Sequence, residues 1–194
     1  MKALRRQKED EGDRSHFMML SNGKVFYPFD PDPSVMDIEV IGPALAKLCR
    51  FSGQCEHFYS VAQHSVLCSK FVPEELALQA LMHDATEAFL ADIPKPLKLG
   101  LPQYEAVEQL VWESLAGRYG LPVELDALVK DVDIRACKTE GEDLNVGRGV
   151  YDWGTEYHPE IQRFPLTVYP VGPEVAEAMF MQRYEELTRG TREW

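Results

Sequence analysis

Apolar residues recur at helical spacing along most of the chain. Ile41, Leu45 and Leu48 stand at i, i+4 and i+7 and predict a helix over residues 42–50. After the Ser52-Gly53 break a second helix is predicted over 58–71. A third opens at Pro73, a residue suited to the first helical position, with Glu74 and Glu75 where the helix dipole favours acids. It carries Leu76, Ala80, His83, Asp84 and Glu87, and ends at Asp92-Ile93-Pro94-Lys95-Pro96, whose two prolines cannot continue a helix. Further helices fit residues 103–119, 124–146 and 173–188. Only the N-terminal part reads as strand: Phe17 to Leu20 and Lys24 to Tyr27 flank an Asn22-Gly23 pair suited to the positive φ angles of a hairpin turn. Residues 28–33 (PFDPDP) read as loop, and 147–167, rich in glycine, aromatic residues and proline, as a long irregular connection. The expectation is a mainly α fold, one helical bundle over residues 17–190 with a small N-terminal β-hairpin. Residues 1–16, mixed in charge and poor in apolar groups, read as a mobile tail.

Composition narrows the function more than the fold. A chain of 194 residues suits one compact domain, and no apolar run approaches a membrane span. The opening MKALRRQKEDEGDRSH is charged and no apolar stretch follows it, so a cytoplasmic protein is expected. A formal net charge of -12 argues against stable nucleic-acid binding, which needs a basic footprint. A small anionic substrate stays open, because a bound cation reverses the sign within one pocket. Cys49, Cys55, Cys68 and Cys137 form no CxxC pair, and their scatter reads as reduced thiols. Cys49, Cys68 and Cys137 lie within apolar helical patterns, where buried small hydrophobes are the simpler reading.

Candidate chemistry centres on His83-Asp84, a pair of metal-ligating side chains inside the oily stretch LALQALMHDATEAFL. Adjacent helical side chains diverge by about 100°, so both reach one ion only if it sits against that face. A buried carboxylate beside a buried imidazole needs a partner, and a divalent cation serves. His64 lies on the preceding helix, which a short turn should pack antiparallel. Alone, His64 reads as a core histidine; with His83-Asp84 it reads as a ligand. Downstream, VKDVDIRACK offers Asp131 and Asp133, with Leu128, Val132 and Ala136 as apolar neighbours. Asp133 would complete a His-His-Asp-Asp set suited to a divalent first-row transition metal. Glu87, four residues after His83, is either an acid–base group or a helix-surface carboxylate. Asp92 either assists it or terminates the helix.

The order of His64, His83-Asp84, Glu87, Asp92 and Asp133 resembles the H…HD…D signature of HD-domain phosphohydrolases. The strings EHFYSVAQHS, ALMHDATEAFLADIPKPLK and VKDVD are similar to one branch of that superfamily. That branch holds bacterial 5'-deoxynucleotidases and related phage- or prophage-encoded hydrolases, some acting on deoxynucleoside triphosphates such as dATP. The resemblance spans roughly residues 17–144. It implies that His64, His83, Asp84 and Asp133 hold one divalent transition metal (Co, Mn, Zn, Fe or Ni, with Mg as a further candidate). Register alone favours Asp133 over Asp131. Glu87 would orient or deprotonate the attacking water, with Asp92 nearby. Arg50 would clamp a phosphate, and Phe51 stands where the family usually has a tryptophan that crowds the sugar 2' position. Lys98, and with less support Lys95, would contact phosphate. His57 would approach the substrate if the second helix extended that far, or serve as a cap.

The resulting expectation is a metal-dependent hydrolase of deoxynucleotides. It would release phosphate from a monophosphate, or triphosphate by attack at the α-phosphorus. A divalent ion can lower the pKa of bound water from about 15.7 toward 7. The alternatives are a hydrolase of a signalling nucleotide (alarmone or cyclic dinucleotide), and a non-catalytic helical binding module with a structural metal. A two-iron oxygenase needs additional histidine ligands, and of the five histidines His16 lies in the tail and His158 in the irregular connection. Relatives imply a homo-oligomer, and Tyr151, Trp153 and Tyr157, otherwise unassigned, are candidates for an interface or a lid.

Overall fold

The structure, a computed structural model, describes residues 16–189. The tail expected over 1–16 therefore lies, His16 apart, outside the described residues. The fold is mainly helical. A two-stranded antiparallel hairpin, β1 (Met18–Met19) and β2 (Val25–Phe26), opens it, with Met18 opposite Phe26 and Met19 opposite Val25. Gly23, at φ 78°, makes the turn. Phe26 is fully buried against Phe89, ring centroids 4.6 Å apart, which pins the hairpin to the bundle.

Helix α1 (Ile38–Lys47) begins earlier than the predicted residue 42. Gly42-Pro43, which looks like a breaker, lies inside it. The carbonyl that Pro43 leaves without an amide partner belongs to exposed Glu39, where water can serve. Gly42 lets Met181 and Phe180 pack close against the α1 backbone.

The second helix is shorter than the predicted 58–71. As α2 (Val61–Ser69) it starts at Ser60, whose Oγ accepts from the Gln63 amide at 3.1 Å. Phe58 and Tyr59 are instead extended: the Arg50 amide donates to Tyr59 O at 2.8 Å and the Val61 amide to Leu48 O at 3.1 Å. His57 thus stands outside the helix and exposed, neither capping it nor sharing a face with His64. Helix α2 is buried nearly all round, packed on α1, on α3 (Glu74–Met82), on α7 (Ala127–Asp143) and on α8 (Pro173–Thr188). A polar group at its centre costs stability unless it finds a protein partner or a ligand, and Ser65 Oγ has none among the described residues.

The predicted third helix is broken. Helix α3 stops at Met82, and α4 (Glu87–Leu90) follows a tight turn. Through it the bonds are i→i+3: Ala85 N to Met82 O, Glu87 N to Asp84 O and Phe89 N to Thr86 O, at 2.9–3.0 Å. The tightening puts residues three apart on one face, so Glu87 follows Asp84 rather than His83. Beyond the short α5 (Lys95–Lys98), α6 (Pro102–Tyr119) closes on Gly120. Helix α7 starts three residues later and ends three earlier than the predicted 124–146, capped by Asp126 accepting from the Leu128 amide at 2.8 Å. Its apolar face is Val129, Val132 and Ala136; Leu128 is exposed. Helix α8 falls where the spacing put it. Among the described residues no helix is long and apolar enough to cross a membrane.

The irregular connection over 147–167 folds back along the second half of α7. Phe164 donates its amide to Thr139 Oγ1 at 2.9 Å, Lys138 donates to His158 O at 3.1 Å, and Arg163 pairs with Glu142 and Asp143. Trp153 lies on Gly141 and donates to Val146 O at 2.9 Å, with Tyr151, Tyr157 and Phe51 around it at ring distances of 5.3, 4.9 and 5.7 Å. The aromatics left to an interface or a lid are therefore one packed cluster. A Cβ at Gly141 would enter the indole ring. Gly141→Ala is expected to expel Trp153 at a net cost of about 1–2 kcal/mol, overpacking outweighing the better helix propensity. Denaturant midpoint and tryptophan emission report it; an unchanged midpoint and emission would contradict this packing.

Candidate functional site

Four elements converge where α2, the turn after α3 and α7 meet beside the loop after α1. His64 and His83 point their Nε2 atoms at each other, 3.4 Å apart. His64 Nε2 lies 3.1 Å from Asp133 Oδ1 and 3.6 Å from Asp84 Oδ2. His83 Nε2 lies 3.3 Å from Asp84 Oδ1 and 3.8 Å from Asp133 Oδ1. The register of α7 brings Asp133 here and leaves Asp131 exposed outside.

Each imidazole is oriented through its other nitrogen. His64 Nδ1 is 2.8 Å from Glu140 Oε1, and His83 Nδ1 is 2.8 Å from Ala80 O. A carbonyl oxygen only accepts, so His83 carries a proton on Nδ1, and Nε2 is the nitrogen that a cation could take once its proton is displaced. The Glu140 carboxylate imposes the same tautomer on His64. Among the described residues His64, Cys68 and His83 form a buried group with ligand atoms within 4.8 Å of one another, and such a group could hold a metal ion. The Cys68 sulfur is 3.5 Å from His64 Nε2 and 4.0 Å from Nδ1. Near-equal distances place it against the ring, off the axis of the Nε2 lone pair. Burial pushes its thiol up to about 11, so it is protonated at neutral pH. The two aspartates are the better-aligned anionic donors.

Glu140 was not anticipated from the sequence. It is fully buried and accepts from Tyr59 Oη at 2.9 Å, His64 Nδ1 at 2.8 Å and Arg50 Nε at 3.1 Å. Burial alone would raise its carboxyl; the charges of His64 and Arg50, with these hydrogen bonds, outweigh burial and hold it below the usual range. A carboxylate two turns after Asp133 on the same helix was the only available signal.

Arg50, its side chain 11% exposed, also reaches Asp84 Oδ2 at 3.5 Å. It is thus a partner of Asp84 and Glu140 as well as a candidate phosphate clamp. Phe51 beside it has φ 54° and turns its ring edge to Trp153. Glu87 is buried, and its Oε2 has no hydrogen-bond partner among the described residues. Burial first, then the charges of Asp84 and Asp92, push its carboxyl well above the ordinary range. Asp92, half-buried after the strained Ala91 (φ 66°), is also raised, mainly by burial. Lys98 is paired with Glu108 at 2.6 Å, while Lys95 is exposed on α5.

Burial depresses both imidazoles and the Arg50 charge depresses His64 further, but Cys68, Glu140 and Asp133 around His64, and Asp84 and Asp133 around His83, leave both pKa values raised. In the metal-free protein that contribution to stability is complete below the unfolded histidine value of about 6.5 and is lost as pH rises through the higher folded values. A cation must displace these protons. Metal affinity is therefore expected to fall over the interval below the raised histidine values, by about tenfold per unit for each proton released. Calorimetry in buffers of different ionisation enthalpy counts those protons; an affinity flat across this interval would contradict the assignment.

No family model matches the sequence. The chain is 41% identical over 176 residues to the uncharacterized protein YfdR of Escherichia coli (strain K12), an alignment covering 89% of this chain and 96% of that protein. An uncharacterized protein of Rhodobacter capsulatus is 32% identical over 140 residues, 65% of this chain and 71% of its own length. Identity of this degree across nearly the whole of both chains shows that this protein belongs to the same family as YfdR.

Proposed function

We propose that the protein is a metal-dependent phosphohydrolase of deoxynucleotides, with His64, His83, Asp84 and Asp133 as the ligands of one divalent transition metal. One observation carries the reading: two tautomer-fixed Nε2 atoms and two carboxylates from three elements approach one point, 3.1–3.8 Å apart. Donors about 2.1 Å from a common ion stand about 3.0–3.5 Å apart at octahedral or tetrahedral angles, so a cation would need to draw in only the 3.6 and 3.8 Å pairs. Two imidazoles with two carboxylates suit Mn, Fe, Co, Ni or Zn. A divalent cation there supplies Lewis acidity, lowering the pKa of water and neutralising phosphate charge.

The chain's own groups account for the rest. Arg50 spends Nε on Glu140 and one terminal nitrogen on Asp84, and its remaining N–H groups can take two phosphate oxygens. Glu87, its carboxyl raised and its Oε2 unpartnered among the described residues, is suited to accept a proton from attacking water. Asp92 supplies part of the charge that raises it. Lys98 reaches a phosphate only by leaving Glu108, so it is the weaker contact, and exposed Lys95 the weakest. Phe51, braced by Trp153, forms a wall beside Arg50 that can crowd a ribose 2'-hydroxyl.

A screen of deoxynucleoside mono-, di- and triphosphates against the ribonucleotides, with product identification, tests this. The expected result is metal-dependent release of phosphate or triphosphate from deoxy substrates; turnover only of signalling nucleotides, or of nothing, would overturn it. Phe51→Ala is expected to reduce the deoxy-over-ribo preference by about tenfold. An unchanged ratio would place the sugar gate elsewhere.

A further inference from the structure

Two thiols separated by six positions in sequence flank the Arg50–Phe51 loop. Cys49 Sγ and Cys55 Sγ are in van der Waals contact at 3.9 Å, and both residues are half-buried. Cys68 and Cys137 make no such sulfur–sulfur contact among the described residues; Cys68 is buried on α2. The chain between the pair is Arg50-Phe51-Ser52-Gly53-Gln54. It holds the guanidinium that bridges Glu140 and Asp84, and the phenyl ring set against Trp153.

We propose that Cys49 and Cys55 are a redox modification site, a dithiol that closes to a disulfide and regulates the neighbouring site. The regulatory part rests on the reading of Arg50 as a phosphate clamp. A disulfide needs the sulfurs about 2.05 Å apart, so the pair must close by nearly 2 Å. Rotation about the side chains supplies part of that; the loop must supply the rest. Its ends are held: the Arg50 amide is bonded to Tyr59 O at 2.8 Å and the Glu56 amide to Leu144 O at 3.2 Å. Its middle has little slack, because Phe51 and Ser52 already sit at φ 54° and 50°, where side chains are disfavoured, and Gln54 N is bonded to Phe51 O at 2.9 Å. Contraction therefore moves Arg50 and Phe51.

The oxidant is a low-molecular-weight disulfide. One cysteine thiolate attacks a sulfur of that disulfide and expels one small thiolate, leaving a mixed disulfide. The second cysteine thiolate attacks the protein sulfur of the mixed disulfide and expels the other. The two protein thiols lose two electrons and two protons, and the small disulfide gains them as two thiols.

The test equilibrates the full-length protein with oxidised and reduced glutathione at a series of ratios. Peptide mass spectrometry reads the cross-link, and titration with inorganic phosphate reads the Arg50 site. The expected result is a Cys49–Cys55 cross-link that thiols reverse, absent from Cys49→Ser and Cys55→Ser, with phosphate affinity about tenfold lower in the oxidised protein. The serine variants should bind phosphate equally at every ratio. Absence of the cross-link under the most oxidising ratio would overturn the modification site. A cross-link that leaves phosphate affinity unchanged would overturn the regulation. Both readouts stand without turnover, so failure of the deoxynucleotide reading would show separately, in the substrate screen.

Discussion

Glu87→Gln is expected to lower turnover by about 10²–10⁴-fold, the usual contribution of a positioned acid–base group, while leaving metal binding intact. The amide keeps the shape of the carboxyl and removes only its ability to hold and release a proton. The same substitution should raise thermal stability at pH 7. A carboxyl whose folded pKa is raised favours the folded state less and less as pH climbs above its unfolded value, and that penalty is present at neutral pH. Loss of activity with a gain in stability is what a functional buried carboxylate gives. A variant with full turnover would remove Glu87 from the chemistry.

Glu140→Ala is expected to be the most destabilising single change near the site. It strands three buried donors at once: Tyr59 Oη, His64 Nδ1 and Arg50 Nε. Removing one member of such a buried charged set costs about 3–5 kcal/mol. Loss of the carboxylate that orients a ligand histidine lowers metal affinity by about 10–100-fold. Denaturant unfolding and metal titration measure the two effects. Glu140→Gln, which keeps one acceptor oxygen, should recover part of the stability and less of the affinity. A Glu140→Ala protein with unaltered midpoint and metal affinity would show that the network is incidental.

How much was legible follows from what each signal depends on. The helical fold was readable because spacing of apolar residues reports burial directly, and α8 was placed to the residue. Helix ends were less so: α1 begins before the predicted residue 42, and Phe58-Tyr59, predicted helical, are held by a chain-to-chain bridge that is a tertiary fact. The break at Met82 has no sequence marker. It is made by i→i+3 bonds in a stretch of ordinary helix formers, yet it decides that Glu87 sits by Asp84. His64, His83, Asp84 and Asp133 do meet, as their order and spacing suggested. Glu140 was invisible because a buried carboxylate on a helix reads as surface until its partners are known. Trp153 and the Cys49–Cys55 contact depend on loops, whose course composition does not encode.

The central claim is a single cation held by two imidazoles and two carboxylates. Crystals grown with manganese and measured for anomalous scattering test it most directly. The expected map has one peak per chain, bonded to His64 Nε2, His83 Nε2 and one oxygen each from Asp84 and Asp133, with Cys68 Sγ outside bonding distance. A map with no peak between those four residues, or one whose peak is bonded to the Cys68 sulfur in place of the aspartates, would contradict it.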